Sequence, residues 1–208
     1  MNVIDQLASS IGRRDEVPNQ ELAERIAKKS DKAAVEELVE YLLHGTKDIQ
    51  NDCIKVLYEI GERKPALVAP YIKQFVALLE SKNNRLQWGA MTALNTITLE
   101  DPAAIFSSLK KIMAATDLGS VITNDQAVSM LIKLCSIKKY ADDAFTLLIG
   151  KLQKSPTNQL PMYAEQAVPI VDDKKKATFL KTLTSRLADI EKESKRKRVE
   201  KVIRKLGG

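Results

Sequence analysis

Side chains that could carry out chemistry are scarce in this sequence of 208 residues and do not form a catalytic spacing. The single histidine, His44, precedes Gly45 at the end of a predicted helix, where a cation is favourable beside the C-terminal dipole. Cys53 and Cys135 lie in or beside predicted apolar helix faces. We interpret both as small buried hydrophobic residues rather than nucleophiles, and thiols without a disulfide pattern are typical of a reducing compartment.

Two carboxylate pairs, Asp142-Asp143 and Asp172-Asp173, are the remaining candidates for acid–base or metal chemistry. Both pairs stand at the starts of predicted helices, where acidic side chains cap free N–H groups and favour the helix dipole. The sequence contains neither a glycine-rich phosphate loop nor a nucleophile elbow. We therefore expect a protein that is not an enzyme, has no catalytic residues and binds neither a metal ion nor a cofactor.

The composition indicates a folded, helical chain. Apolar residues make up 44% and charged residues 29%, with 8 Gly and 7 Pro, a balance that excludes disordered and collagen-like proteins. Residues 1–10 lack the features of a signal peptide, and no apolar run approaches the roughly 18 residues of a membrane-spanning helix. The expected protein is cytoplasmic and has no membrane partner.

A repeat of 37 residues organises the middle of the chain. In each copy, apolar or small residues recur at i, i+4, i+7, i+8 and i+11, with one polar exception, which is one face of an α-helix and fits no strand. This pattern predicts four equivalent helices. The copies are Ile49, Cys53, Val56, Leu57 and Ile60; Leu86, Ala90, Ala93, Leu94 and Ile97; Thr123, Ala127, Met130, Leu131 and Leu134; and Leu160, Ala164, Ala167, Val168 and Val171.

A second apolar pattern precedes these helices and makes each repeat a predicted helical hairpin. It runs over 34–42 and 71–79, with a looser copy over 105–113. Pro65 and Pro102, also 37 residues apart, mark points where new helices begin. One hairpin cannot bury its apolar face alone, so the hairpins must stack. We predict an all-α fold, a right-handed α-α superhelix of about five to six helical hairpins.

The two ends of the chain differ from the repeats, as capping segments of a solenoid should. A short amphipathic helix is expected over 3–11, and a break is expected near 192–195, because the two C-terminal apolar faces would sit about 120° apart on one helix. The predicted parts of this single domain (1–208) are N-terminal cap helices in 1–30, four repeats in 31–172 and a basic closing hairpin in 173–208.

The second repeat resembles a HEAT repeat, a member of the armadillo-like helical superfamily. A helix over 70–79 that begins with proline is followed by a polar link and by a second segment, 83–94, with Leu and Ala on one face. The resemblance covers about residues 31–172 and implies a helical solenoid, a fold that serves many functions. The arginine that HEAT repeats often carry near the start of the second helix is replaced in the four copies by Gln50, Gln87, Asn124 and Pro161.

Residues on the side of the second helices away from the apolar face are candidates for partner binding, because these helices line the concave side of such a solenoid. Trp88, the only tryptophan, is expected there at an exposed position, as are Tyr58 and Ile132. Trp and Tyr provide much contact area for little entropy. The alternative is that these groups pack between repeats. The candidate residues are Asn51, Tyr58, Trp88, Asn95, Asp125, Ile132 and Met162.

Positive charge is concentrated at the C-terminal end. Residues 174–208 hold 13 Lys and Arg against 4 Asp and Glu, whereas the whole chain has a net charge of +6. The last predicted helix carries a basic face opposite an apolar one. Three roles fit this face: a solvated cap, a phosphate-binding surface for nucleic acid, or a contact with an acidic protein or membrane. Its residues are Lys197, Arg198, Lys201, Arg204 and Lys205.

Two functions fit these observations. The first is a non-catalytic protein–protein interaction module, or scaffold, whose concave groove binds a partner protein or peptide. The alternative, which follows from the resemblance, is a nucleic-acid-binding helical-repeat protein of the HEAT-like DNA glycosylase type, with Trp88 and Asp125 at the lesion. The outward positions of the second helices include no Arg or Lys, which favours the first function because phosphate binding needs cations.

Leu94 and Leu131 test the repeat, since both are expected between helices. Replacing either with Ala should lower the free energy of unfolding by about 2–5 kcal/mol, as measured by urea denaturation. A cost near zero would contradict the repeat assignment.

Overall fold

The structure is a computed structural model that describes residues 2–117 and 119–207, and regular structure within them is entirely helical. Met1 and Gly208, the ends of the predicted domain, lie outside the described residues. In the part of the chain that is described, no helix has both the length and the apolar character that a membrane span requires.

The fold divides into two compact units, unit 1 (Met1–Ala127) and unit 2 (Val128–Gly208). Unit 1 contains α1 (Val17–Lys29), α2 (Lys32–His44), α3 (Lys47–Arg63), α4 (Ile72–Leu78), α5 (Asn84–Thr96), α6 (Pro102–Ser107) and α7 (Leu109–Asp117), and the boundary falls within α8 (Val121–Cys135). Helix α3 contacts both α1 and α5, while α2 packs on α3 and α4 packs on α5. In these two hairpins the first helix thus covers the second.

The predicted apolar face of the second helices is buried, as the repeat requires. All of its positions are buried except Ile49, Val168 and Val171, which are partly exposed. Thr123, its polar position, is also fully buried, and its hydroxyl forms a hydrogen bond with the Ser120 hydroxyl at 3.1 Å. The predicted helical register is therefore confirmed in the first three copies. It is wrong for the end of the fourth copy, where the α-helix ends at Ala167, Val168 begins a 3-10 turn and Val171 is extended.

Side-chain caps fix helix starts at the expected points. The Asp31 carboxylate accepts a hydrogen bond from the Ala34 N–H at 3.1 Å and caps α2, and the Asp101 carboxylate accepts one from the Ala104 N–H at 3.0 Å and caps α6. Pro102 is the first residue of α6, where its missing N–H costs no hydrogen bond. The predicted starts of these helices are confirmed.

The predicted helix over 3–11 is wrong. Ile4–Gln6 forms one turn of 3-10 helix, and the chain then follows turns that include Gly12 at a φ of 73°. The Ser9 N–H donates to the Asp52 carboxylate of α3 at 2.8 Å. Because the Asp52 carboxylate accepts a hydrogen bond from this N–H group, the group does not need an α-helical hydrogen bond.

The first helices of the second and third repeats are shorter than predicted. Two 3-10 turns, Pro65–Leu67 and Ala69–Tyr71, precede α4, because Pro70 has no N–H with which to continue an α-helix through this segment. In the third repeat, α6 and α7 are separated at Ser108. These repeats therefore consist of two short segments followed by a longer second helix.

Unit 2 contains α9 (Ala141–Lys154), α10 (Leu160–Ala167), α11 (Asp173–Arg186) and α12 (Glu193–Lys205). Helix α9 packs on α11, and α12 packs on α10 and α11. The Arg186 guanidinium donates to the backbone carbonyls of Leu152, Gln153 and Ser155 at 2.7, 2.7 and 3.0 Å, which satisfies the C-terminus of α9. The predicted break is confirmed, since α11 and α12 are separate helices.

Two glycines allow α3 and α5 to approach closely. A Cβ atom at Gly89 would lie 2.7 Å from Cγ1 of Ile54, and one at Gly61 would collide with the Thr96 side chain. Ile54 is fully buried, so its side chain has no free space into which it could rotate. The spacing of the two helices therefore depends on the missing side chain at Gly89.

Replacing Gly89 with Ala should destabilise the protein by about 1–3 kcal/mol, because overpacking outweighs the better helix propensity of alanine. Gly150→Ala is the matched control, since a Cβ there meets nothing within 4 Å in the middle of α9. It should stabilise the protein by about 0.5–1 kcal/mol. If urea denaturation gave both variants the same stabilisation, the close contact of α3 and α5 would be wrong.

Candidate functional site

The candidate partner-binding residues are distributed over both units. All of them are partly exposed except Tyr58, which is buried, with 7% of the residue exposed. The prediction that Tyr58 is exposed is therefore wrong, whereas its role in binding stays a prediction, like that of the others. The partly exposed residues are Asn51, Trp88, Asn95 and Asp125 of unit 1 and Ile132 and Met162 of unit 2.

Tyr58 is buried because aromatic and cationic side chains cover its ring. The ring centroids of Tyr58 and Trp88 lie 5.9 Å apart at an interplanar angle of 51°, a geometry that favours aromatic pairs. Lys55 Nζ lies 4.8 Å from the Tyr58 centroid, and Arg85 Cζ lies 6.0 Å from the Trp88 centroid. Both cations are within the range of cation–π attraction. Trp88 and its neighbours thus form one cluster on α3 and α5.

A network of ion pairs joins this cluster to the chain before α1. Lys55 Nζ lies 2.7 Å from Glu59 Oε1 and 3.0 Å from Glu16 Oε2. The other Glu16 oxygen lies 2.5 Å from Arg85 Nη2, and Glu59 Oε2 lies 2.6 Å from Arg63 Nη1. Glu16, Lys55, Glu59, Arg63 and Arg85 are called the charge network below.

Burial and pairing shift the pKa values of Lys55 and Glu59 in opposite directions. Burial by itself lowers the pKa of Lys55, but hydrogen bonds to Glu59, Tyr58 and Glu16 outweigh it, and the pKa is raised. Burial likewise raises the pKa of Glu59, yet hydrogen bonds from Lys55 and Arg63 bring the pKa below its ordinary value. Both groups are therefore held in their charged forms by their partners.

Amide side chains extend the cluster along the same helices. Asn83 Nδ2 donates to Asn51 Oδ1 at 2.9 Å, while Asn83 Oδ1 caps α5 by accepting from the Arg85 N–H at 3.0 Å. Asn95 Nδ2 donates to Gln126 Oε1 at 2.5 Å. The predicted residues Asn51 and Asn95 thus form hydrogen bonds with neighbouring amides.

A polar cavity of about 410 Å³ lies between the N-terminal segment and the second helices. Residues 12–16, with Ala8 and Ser9, form one side, and Asp48, Asn51, Asp52 and Arg85 form the other. Two buried polar atoms at this cavity, Ser9 Oγ and Arg85 Nε, have no hydrogen-bond partner within the described residues. Such atoms are uncommon in folded proteins and indicate a place where a ligand group can bind.

The Asp52 side of the cavity is well ordered by hydrogen bonds. The Asp52 carboxylate accepts from the Ser9 N–H at 2.8 Å and from Asn19 Nδ2 at 2.7 Å. Asn19 is fully buried and accepts in turn from the Ala8 N–H at 3.0 Å. The N-terminal segment is thereby fixed to α1 and α3.

The thiols and the histidine occupy the positions that the sequence predicted. Burial raises the pKa of Cys53 to about 12 and that of Cys135 to about 11, so both remain protonated and weakly nucleophilic at neutral pH. His44 is the last residue of α2, and its ring lies 3.8 Å from the exposed Glu40 carboxylate. Their arrangement offers no nucleophile paired with a base.

The paired carboxylates act at helix starts, as predicted. Asp172 caps α11 by accepting from the Lys175 N–H at 2.9 Å, and it pairs with Lys175 Nζ at 2.6 Å. Asp142 and Asp143 lie in the first turn of α9. Across residues 2–117 and 119–207, His, Cys, Asp and Glu side chains do not assemble in groups of three or more that could hold a metal ion.

The basic face of α12 is partly neutralised by carboxylates. Arg198 forms a bidentate pair with Glu165 of α10 at 2.8 and 2.5 Å, and Lys197 Nζ lies 2.6 Å from Glu193. The remaining predicted members, Lys201, Arg204 and Lys205, are exposed.

Sequence reasoning missed the charge network. Lys55, Glu59 and Arg63 follow one another at i, i+4 spacing, which is a readable signal for ion pairs on one helix face. Glu16 and Arg85 gave no such signal, since 69 residues separate them.

Comparison with known proteins shows likeness in structure rather than in sequence. No protein-family model matches the chain, and no curated protein matches it. A designed armadillo repeat protein in complex with the peptide (KR)4 is 13% identical, with a TM-score of 0.67 over 99% of this chain and 98% of that chain. Two engineered proteins are 18% and 17% identical, with TM-scores of 0.62 and 0.59, over 100% and 99% of this chain and 98% and 100% of theirs.

These likenesses show the fold. The chain is an all-α, armadillo-like solenoid of helical hairpins, which confirms the predicted fold class. They support an armadillo-like helical repeat fold, and the narrower resemblance to HEAT repeats stays a prediction.

Glu59→Gln should lower the free energy of unfolding at neutral pH by about 2 kcal/mol, because Lys55 and Arg63 lose a charged acceptor. The folded-state pKa of Glu59 is lowered from 4.5, so its contribution is present above that pH and is lost as the pH falls through the folded-state pKa. The difference between wild type and variant, measured by urea denaturation, should therefore shrink in acid. Glu62→Gln, on the exposed side of α3, is the control and should show no such difference at any pH.

Proposed function

We propose that this protein is a non-catalytic interaction module that binds a peptide segment of a partner protein on the outward surface of α3 and α5. The observation that carries the proposal is the cluster of Tyr58, Trp88, Lys55 and Arg85, in which a partly exposed indole contacts the Tyr58 ring and the Arg85 guanidinium, while Lys55 lies over the Tyr58 ring. Trp, Tyr and Arg dominate the energetics of protein interfaces.

The cluster is preorganised for binding. Trp88 is packed on Tyr58, and the neighbouring amide of Asn51 is held by Asn83. Side chains that are already ordered lose little entropy when a partner binds, so more of the contact energy appears as affinity. The rest of the indole remains accessible, since Trp88 is only partly buried.

The fold supports the same role. One structural neighbour, a designed armadillo repeat protein, has been solved in complex with the peptide (KR)4. A solenoid of hairpins presents its second helices side by side, so an extended peptide can cross several of them. We extend peptide binding to the present chain on this basis and on the cluster described above.

The absence of catalysis is part of the proposal. Its support is that both thiols are buried with raised pKa values and that His44 lies at the exposed end of α2, paired with Glu40. Nucleic-acid binding has less support, because Lys197 and Arg198 of the basic face are already paired with carboxylates.

A peptide-library selection on the immobilised full chain tests the proposal, with isothermal titration calorimetry of the enriched peptides. Trp88→Ala should weaken binding by about 30-fold, the loss of a typical interface hot spot. Tyr41→Ala is the matched control, because Tyr41 is an exposed aromatic residue of α2, and it should leave the affinity unchanged.

Circular dichroism must show that Trp88→Ala remains folded. If no peptide were enriched, or if folded Trp88→Ala bound the enriched peptides as tightly as the wild type, the proposed function would be wrong.

A further inference from the structure

We propose that Lys55 and Arg85 form a carboxylate-binding site on this surface, that the partner segment is an acidic peptide, and that Glu16 occupies the site in the free protein. This inference rests on the proposed function, because it assigns the chemistry of the peptide that the surface of α3 and α5 binds.

Glu16 shows what kind of group the site accepts. It lies in the chain before α1, yet one of its oxygens reaches Lys55 of α3 at 3.0 Å and the other reaches Arg85 of α5 at 2.5 Å. One carboxylate therefore bridges two neighbouring second helices. Charge-assisted hydrogen bonds of this kind are stronger than neutral ones and are specific in geometry.

The site and its occupant differ in exposure. The Lys55 side chain is 7% exposed, whereas the Glu16 side chain is 41% exposed. The cation thus belongs to the body of the unit, while the carboxylate lies at its surface and can leave without disrupting the core. Exposed carboxylates gain little stability from ion pairs because water competes for them.

The two cations depend on Glu16 to different extents. Lys55 keeps Glu59 as a second partner at 2.7 Å, but Glu16 is the carboxylate within the described residues that pairs with Arg85. A partly buried guanidinium that loses its carboxylate is left with uncompensated charge. Departure of Glu16 is therefore favourable only when another carboxylate takes its place.

The Arg85 guanidinium has a hydrogen-bond donor that Glu16 does not use. Glu16 contacts Nη2, while Nε is buried and has no hydrogen-bond partner within the described residues. A ligand carboxylate that engages Nε and Nη2 together would make the bidentate pair for which the guanidinium fork is suited. The unused donor is the independent observation that indicates an external carboxylate.

Space for the ligand lies beside this donor. Arg85 lines the cavity of about 410 Å³ together with residues 12–16 and Ser9. Two other carboxylates at the cavity are engaged, since Asp15 pairs with Arg13 at 2.7 Å and Asp52 accepts from the Ser9 N–H at 2.8 Å, and Asp48 also lines the cavity. A peptide carboxylate that replaces Glu16 contacts Lys55 and Arg85, and the indole of Trp88 lies against Arg85, so an acidic residue next to an apolar residue fits the surface.

A basic peptide would bind this site less favourably than an acidic one. Its cations would lie against Lys55 and Arg85 and would have to displace Glu16 without replacing its charge. Like charges opposed in this way cost affinity. The surface therefore discriminates by charge, and the acidic peptide is the ligand that the contacts favour.

Fluorescence titration of the full chain tests this inference, because Trp88 is the only tryptophan and lies next to Arg85. The probes are two blocked decapeptides, one alternating Glu and Leu and the other alternating Lys and Leu. The acidic peptide should change the Trp88 emission at lower concentration than the basic one. Its affinity should fall as salt is added, because the contact is an ion pair.

Glu16→Gln should tighten binding of the acidic peptide by about tenfold, since removal of an internal competitor raises the fraction of protein that is competent to bind. Arg85→Gln should weaken the same binding by about tenfold or more, because it removes the fork that holds the carboxylate. Glu21→Gln on the exposed face of α1 is the matched control and should leave the affinity unchanged. Thermal melts establish that each variant is folded, and Arg85→Lys serves if Arg85→Gln is not.

Two results would overturn the inference: tighter binding of the basic peptide, or Glu16→Gln that binds the acidic peptide no more tightly than the wild type. Absence of binding by either decapeptide would overturn it as well. The proposed function would survive each of these results if the library selection yielded ligands whose binding depends on Trp88. If it yielded none, both proposals would fail together.

Discussion

Helix α3 is enclosed by α1, α2 and α5, and the rest of unit 1 depends on how its side chains are accommodated there. Its apolar face packs into the core, as the repeat requires. Its remaining faces carry Asp52, Lys55 and Glu59, all of which are buried as well. Charged side chains are rarely buried unless they are paired. The enclosure of α3 therefore demands partners, and these come from α1, from the chain before α1 and from α3 itself.

This demand explains why the N-terminal segment is not helical. Its backbone and its carboxylate are used to satisfy α3: the Ser9 N–H binds Asp52, and the Glu16 side chain binds Lys55. The apolar residues at 3–11 follow a helical spacing, but spacing reports only which side chains are buried. It carries no information on hydrogen bonds to a helix more than forty positions away in the chain, so the segment was predicted as a helix and forms turns instead.

The elements that the sequence did predict are those in which one local rule decides the outcome. Apolar periodicity predicts the second helices, and Pro102 predicts a helix start. The places of Cys53 and Cys135 in or beside apolar faces predict the burial that raises their pKa values. The candidate binding residues are a different case. Trp88 is partly exposed, but Tyr58 is covered because Trp88 packs on it, and a helical wheel treats each helix in isolation.

The same enclosure connects stability with recognition. Lys55 and Arg85 are charged in a partly dry environment. Glu16, from the exposed, irregular segment before α1, pairs with both of them, and Glu59 of α3 also pairs with Lys55. A ligand can displace Glu16 only through the difference between its own interaction with Lys55 and Arg85 and the interaction that Glu16 makes with them. The binding that we propose is thus an exchange between similar groups, in which the strong electrostatic terms largely cancel. Contact with Trp88 and the unused Nε donor of Arg85 remain uncancelled in that exchange, and in this proposal these two groups set which peptide is preferred.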